Sequence, residues 1–180
     1  MKSKQSQQSD QLLKLILQKW ISKPIYIASR LCIADILSEG PKTIEEIASF
    51  TDCSCSVLYR IMRALSNIGI LCQTEYKKFC LTPLAELLKK GNIGYIYSLM
   101  FHSEWNDKAW LYLYESVKTG KTAFELAHGM PLFEWLKENR EAADFLNEAN
   151  SIRSKAINDD IVNTSNCFIK KVLQTISLPH

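Results

Sequence analysis

The stretch Leu58-Tyr-Arg-Ile-Met-Arg-Ala-Leu-Ser-Asn-Ile-Gly-Ile-Leu71, with Phe79-Cys-Leu-Thr-Pro-Leu-Ala-Glu-Leu-Leu88 shortly after it, decides the fold. Leu58, Ile61, Met62, Leu65 and Ile68 recur at helical spacing, so one face of this segment is apolar. Gly69 closes the pattern, as a glycine just past a helix tends to do. Two short apolar runs follow, Ile70 to Cys72 and Lys78 to Leu81, around a polar tip of Thr74, Glu75, Tyr76 and Lys77. That is the pattern of a hairpin. Thr82-Pro83 then opens another helix, with threonine as N-cap and proline at the first helical position. Helix, hairpin, helix is the second half of a winged helix-turn-helix.

Upstream, Gln11 to Ile21 predicts a helix that is apolar on most of its circumference. A helix with so little polar surface must be buried on more than one side, and in a short chain a second subunit supplies the other side. Leu12, Leu13, Ile16, Leu17 and Trp20 are therefore the candidate dimer-interface residues of a homodimer. The alternative is a helix lying on its own domain's core. Pro24 opens a second predicted helix, Ile25 to Ser38, stopped by Gly40-Pro41. Thr43 caps a third, Ile44 to Phe50, with Glu46 three residues on as its capping-box partner. Asp52 or Ser54 caps the helix that carries Leu58. Residues 1–10 are polar and rich in Gln and Ser, and are expected to be a disordered leader.

Downstream, Gly91-Asn92 breaks the chain, and from Ile93 the pattern is helical and aromatic: Tyr95, Tyr97, Phe101, Trp105, Trp110, Tyr112, Tyr114. Gly120 interrupts it, a loop carries Phe124 and His128-Gly-Met-Pro131, and Leu132 to Asn139 makes a short helix. Glu141 to Asp160 forms a longer one. Phe168-Ile-Lys-Lys-Val-Leu173 resembles the approach to a β-strand. The fold class expected is mainly α: a winged helix-turn-helix domain with a β-hairpin wing over residues 11–90, then a helical lobe over 91–163 and a stub over 164–180.

Composition narrows the function. Of 180 residues, 47% are hydrophobic and 23% charged, the balance of a soluble globular protein. No apolar run approaches the roughly 20 residues that span a bilayer, and no signal-peptide core is present, so a cytoplasmic protein with no membrane partner is expected. A net charge of +3 is too small to imply a polyanion. The helix of Tyr59, Arg60 and Arg63 and the wing lysines Lys77 and Lys78 could touch phosphates, but Asp52 and Glu75 dilute that field. Nucleic acid is therefore the weaker reading, tied to a winged-helix regulator. Cys32, Cys72 and Cys80 lie in apolar runs and behave as small hydrophobes. Cys53-Ser-Cys55 has one residue between its thiols rather than the two to four of zinc sites, so no metal site is expected. Reduced thiols are expected throughout.

The chain resembles the N-terminal half of the dimeric small-molecule S-adenosylmethionine-dependent O-methyltransferases, the caffeate and hydroxyneurosporene type. Ala28 to Leu37, Thr43 to Ala48, Leu58 to Gly69 and Phe79 to Leu88 carry the resemblance. Val117-Lys-Thr-Gly120, Ala123-Phe124 and Gly129-Met-Pro-Leu-Phe-Glu-Trp-Leu136 continue it in the family's order. The resemblance implies that the winged helix builds a dimer rather than reading DNA, and that the following helices help wall an acceptor pocket. Phe101, Trp105, Trp110, Met130 and Phe133 could line that pocket for a small hydrophobic or aromatic acceptor, or could be core. Phe101, Trp105, Met130 and Phe133 are the substrate-lining candidates. His102 and His128 are expected on loops or at the surface, and Asn150 replaces an apolar residue of the relatives.

The family's cofactor domain opens with a strand and a glycine-rich turn. Here the strand approach of Phe168 to Leu173 is followed by Gln174-Thr-Ile-Ser-Leu-Pro-His180, with no glycine and no acid. No catalytic and no cofactor-binding residue is assigned to this chain; S-adenosylmethionine belongs to the intact family. The expectation is the dimerisation and acceptor-binding half of an O-methyltransferase, truncated and inactive alone. A modulatory partner that heterodimerises with a full-length methyltransferase is the other reading.

Overall fold

The computed structural model describes residues 4–74 and 77–155. They fall into two compact units, one up to Leu132 and one from Phe133. The first is mainly helical: α1 (Lys4–Ile16), α2 (Lys19–Arg30), α3 (Ile33–Ile36), α4 (Ile44–Thr51), α5 (Cys55–Asn67), α6 (Ile93–Phe101), α7 (Glu104–Leu111), α8 (Leu113–Thr119) and α9 (Ala123–His128). Three short strands, β1 (Lys42–Thr43), β2 (Leu71–Gln73) and β3 (Lys78–Leu81), make an antiparallel sheet in the order β1-β3-β2. In the second unit α10 (Leu132–Glu138) precedes a helix over 140–155, α11.

The core forms around the helix and hairpin of residues 58–88. Leu58, Met62 and Leu65 of α5 are buried one turn apart and meet Ile44 and Ile47 of α4, Ile33 and Leu37 from the α3 region, and Phe79 of β3. Phe79 is fully buried and Tyr59 meets it edge-on at 6.1 Å. Gly69, at φ +77°, ends α5 in a Schellman turn: Ile70 N–H donates to Leu65 O at 3.0 Å and Gly69 N–H to Ser66 O at 3.1 Å. β2 leaves directly from that turn. The capping box of α4 is complete, with Glu46 N–H donating to Thr43 Oγ1 at 3.2 Å and Thr43 N–H donating to Glu46 Oε2 at 2.6 Å.

Several expected elements differ. α1 begins at Lys4, inside the expected leader, because Lys and Gln are good helix formers and continue the run of Leu12 to Ile16. The first predicted helix is two helices, parted at Leu17-Gln18, and Pro24 lies inside α2 rather than at its start. The second predicted helix stops at Arg30, where Cys32 takes a left-handed φ of +52° and α3 restarts the chain. After Thr82-Pro83 comes a 3-10 turn over Ala85–Leu88 in place of an α-helix. Thr82 holds it: its hydroxyl donates to Ile70 O at 2.7 Å and accepts from Ala85 N–H at 3.2 Å. The expected loop around Phe124 is α9, capped by Thr122. Residues 11–90 share the first unit with the helices α6 to α9, and α6 packs on α2. The strand approach at 168–173 and the stub over 164–180 lie outside the described residues.

Candidate functional site

Two features of the first unit could act on a partner or a ligand. The first is the outer face of α1 and the start of α2. Leu12, Leu13, Ile16, Leu17 and Trp20, the candidate interface residues, are all exposed, Trp20 by 77%. Leu15 and Ile21 extend the same apolar surface. An isolated exposed leucine needs no explanation, but seven large apolar side chains within ten residues form a patch that soluble monomers seldom show. The short turn at Leu17-Gln18, with Trp20 N–H donating to Leu17 O at 2.9 Å, separates α1 from α2. A second apolar exposure runs through α7 and α8, where Trp110, Leu111, Tyr114 and Val117 are exposed.

The second feature joins α2 to α6 and α7. Lys23 of α2 pairs with Asp107 of α7. His102, just after α6, places Nδ1 3.9 Å from Asp107 Oδ1 and its ring 6.0 Å from the Tyr26 ring. That Nδ1 is buried and makes no hydrogen bond. Burial therefore lowers the His102 pKa, with Lys23 adding to the shift and Asp107 opposing it. Arg30 donates to the Tyr26 hydroxyl at 2.7 Å, which raises the guanidinium's already high pKa, and faces Glu104 at 3.9 Å. Beside this joint, Trp105 of α7 meets Phe124 of α9 edge-on at 6.1 Å, and Phe124 stacks on His128 at 4.3 Å. His128 Nε2 lies 2.9 Å from Trp105 O, a contact that locks the aromatic trio.

The substrate-lining candidates are therefore placed unequally. Trp105 sits in that trio and is half-buried. Phe101 is half-exposed and stacks on Tyr97 at 5.5 Å. Met130 is half-buried in the turn after α9. Phe133 is 76% exposed and belongs to the second unit, where it lines an open groove of about 470 Å³ with Leu136, Arg140, Asp144 and Asn150. His102 lies in the turn after α6, as expected, but half-buried at the α2 joint, whereas His128 is the half-buried last residue of α9 rather than a loop residue. The packing of Phe124 and His128 against Trp105 was not legible in the sequence because α9 spans only six residues, too few for a periodic signal.

Residues 13–91 match the family model described as the O-methyltransferase dimerisation domain. The chain carries the dimerisation domain of the O-methyltransferase family. Among curated relatives, it is 35% identical over 152 residues to the phenazine O-methyltransferase of Lysobacter antibioticus, covering 84% of this chain and 45% of that protein. It is 32% identical over 126 residues to an O-methyltransferase of Streptomyces lavendulae, covering 67% of this chain and 36% of the relative. Among solved structures, the chain is similar to the crystal structure of LaPhzM with a TM-score of 0.80 at 34% identity, over 86% of this chain and 47% of that one. The chain thus spans less than half the length of the relatives it matches. The apolar α1 surface overlaps the dimerisation domain from Leu13 onward.

A glycine-rich cofactor turn sets glycines two residues apart, whereas the six glycines of this chain are nowhere closer than three residues. Of the six glycines, only Gly94 would place a side chain against neighbours, and those neighbours are Leu87 O at 2.6 Å and Leu88 at 3.2 Å, protein rather than ligand space. The other five stand in open turns at positive φ. Among the described residues no group of three His, Cys, Asp or Glu could hold a metal, and no helix is long and apolar enough to cross a membrane.

Proposed function

We propose that this chain supplies the dimer-forming and acceptor-facing part of a small-molecule O-methyltransferase, with S-adenosylmethionine as the methyl donor, and that it works as a homodimer in the cytoplasm. The observation that carries this reading is the exposed α1–α2 face lying on a dimerisation domain. Burying a leucine or isoleucine side chain is worth about 1.5–3 kcal/mol, so even a fraction of this face offsets the several kcal/mol that association costs. In this reading the helix α4, helix α5 and hairpin unit is a winged helix-turn-helix used as a scaffold. Leu12, Leu13, Ile16, Leu17 and Trp20 are its contacts with the partner copy. In the first unit Phe101, Trp105 and Met130 offer apolar and aromatic surface to an acceptor; in the second, taken by itself, Phe133 lines the groove beside Leu136. A small aromatic hydroxyl compound suits such surfaces by stacking and desolvation. The methyl-transfer step itself is not assigned to any described residue.

Sedimentation velocity tests the reading. The wild-type chain is expected to sediment as a dimer at micromolar concentration. A Leu13→Glu, Trp20→Glu double variant places two charges on the proposed face and is expected to sediment as a monomer with its helical circular dichroism intact. A wild-type monomer, or a double variant that stays dimeric, refutes the assignment.

A further inference from the structure

Cys72 and Cys80 are direct cross-strand partners in the β2–β3 hairpin. Side chains alternate along a strand, so their neighbours fix the face on which the two thiols stand. Leu71 and Phe79 are buried in the core and Leu81, opposite Leu71, packs against it. Cys72 and Cys80 therefore stand together on the other face of the sheet, each partly accessible to solvent. The register makes them a hydrogen-bonded pair, because Thr74 N–H donates to Lys78 O at 2.8 Å two residues further along the same ladder. Such pairs hold their Cα atoms about 5.5 Å apart, inside the Cα range that a disulfide spans, and the strands must draw together by about 1 Å to bring the Cβ atoms into range. The Cys80 thiol already points across the ladder: it donates to Cys72 O at 3.5 Å.

We propose that Cys72 and Cys80 form a redox-sensitive dithiol that low-molecular-weight disulfides convert to an intramolecular disulfide across the hairpin. The chemistry is thiol–disulfide exchange. The Cys72 thiol loses its proton and its sulfur attacks one sulfur of the small disulfide, breaking that S–S bond and releasing one small thiolate. The Cys80 thiol then loses its proton and attacks Cys72 Sγ in the mixed disulfide, expelling the second small thiolate. Two protein thiols become one S–S bond, one small disulfide becomes two thiols, and the released protons go to the departing thiolates. Either thiol can make the first attack; burial, then its interaction with Cys72, push the Cys80 pKa up to about 11, so the exchange runs faster as pH rises. The product closes a ring over residues 72–80 and ties the two strands together next to the tip, so the oxidised hairpin opens less readily.

The sequence between the two thiols makes the test direct. Lys77 and Lys78 lie between them, and trypsin cleavage there separates Ala64–Lys77, which holds Cys72, from Phe79–Lys89, which holds Cys80. The folded chain is equilibrated with glutathione at graded ratios of disulfide to thiol, the remaining thiols are alkylated, and the digest is read by mass spectrometry. The expected result is a cross-linked pair of these two peptides, two hydrogens lighter than their sum, that disappears on reduction. It should form at glutathione ratios that leave Cys32 alkylated. Cys72→Ser and Cys80→Ser should each abolish the cross-link, and each should bind less phenylarsine oxide than the wild type, since that reagent needs two thiols within reach of one arsenic and Cys53 and Cys55 remain. The proposal is overturned if both peptides are recovered singly alkylated or singly glutathionylated at every ratio. It is also overturned if either serine variant binds phenylarsine oxide as the wild type does. The wild-type digest decides the matter even if a variant folds poorly.

Discussion

His102 shows how one side chain couples two parts of the first unit. Its ring lies between Tyr26 of α2 and Asp107 of α7, and its buried Nδ1 has no hydrogen-bond partner. Burial holds its folded pKa below the ordinary histidine value. As pH falls, the unfolded chain therefore takes up the proton before the folded chain does. Stability is full above the ordinary histidine range and drains away as pH drops through it toward the lowered folded value. Urea midpoints measured between about pH 7 and pH 5, where an ordinary histidine titrates, should fall more steeply for the wild type than for His102→Phe. Equal slopes would show that His102 titrates as it does in the unfolded chain. Sequence could not reveal this role, because nothing at fixed spacing pairs with His102; Lys23 and Tyr26 reach it from far along the chain. Trp105 was legible as an aromatic in a helix, but its partners in α9 were not.

Elements were legible where a local rule acts alone. Thr43 and Glu46 form the capping box that their spacing announces, and Gly69 turns the chain out of α5 into β2. Elements that depend on tertiary contact were not. The two-residue strand β1 exists only because Lys42 and Thr43 pair with Phe79 and Lys78. Pro24 stays inside α2 although it removes a helical hydrogen bond, since α2 packs on both α5 and α6 and that packing outweighs the loss. Gly94 belongs to the same class: the sequence marks it as a small residue near a break, and only the fold gives the reason. In α6 it lies against the 3-10 turn so closely that an added Cβ would stand 2.6 Å from Leu87 O. The obstacle is backbone, which cannot rotate away, so α6 or the turn must shift. Gly94→Ala is expected to cost about 1–3 kcal/mol, the range for overpacking a close contact. The check is the urea midpoint, which should drop with the m-value unchanged; an unaltered midpoint would mean that the contact yields freely.

At the scale of the whole molecule, the core around Phe79, Met62 and Leu65 sits beside an outer face that is just as apolar. The sequence announced that face through a helix without a polar side. It also implied exposed apolar surface on the helices after residue 93, and Trp110, Leu111, Tyr114 and Val117 are exposed there; which side chains carry it was not legible, because aromatics at helical spacing read equally well as core. In the proposed homodimer the partner copy covers the α1–α2 face, and folding and association become one equilibrium. Mass action then makes thermal stability depend on protein concentration, since dilution favours two unfolded chains over one folded dimer. Calorimetric scans of the wild type over a hundredfold range of concentration should show Tm rising steadily with concentration. The Leu13→Glu, Trp20→Glu variant should melt at one temperature throughout, below the wild type at its highest concentration. A concentration-independent wild-type Tm would place the stability of the first unit in its own core and leave the exposed helix without an energetic part in the fold.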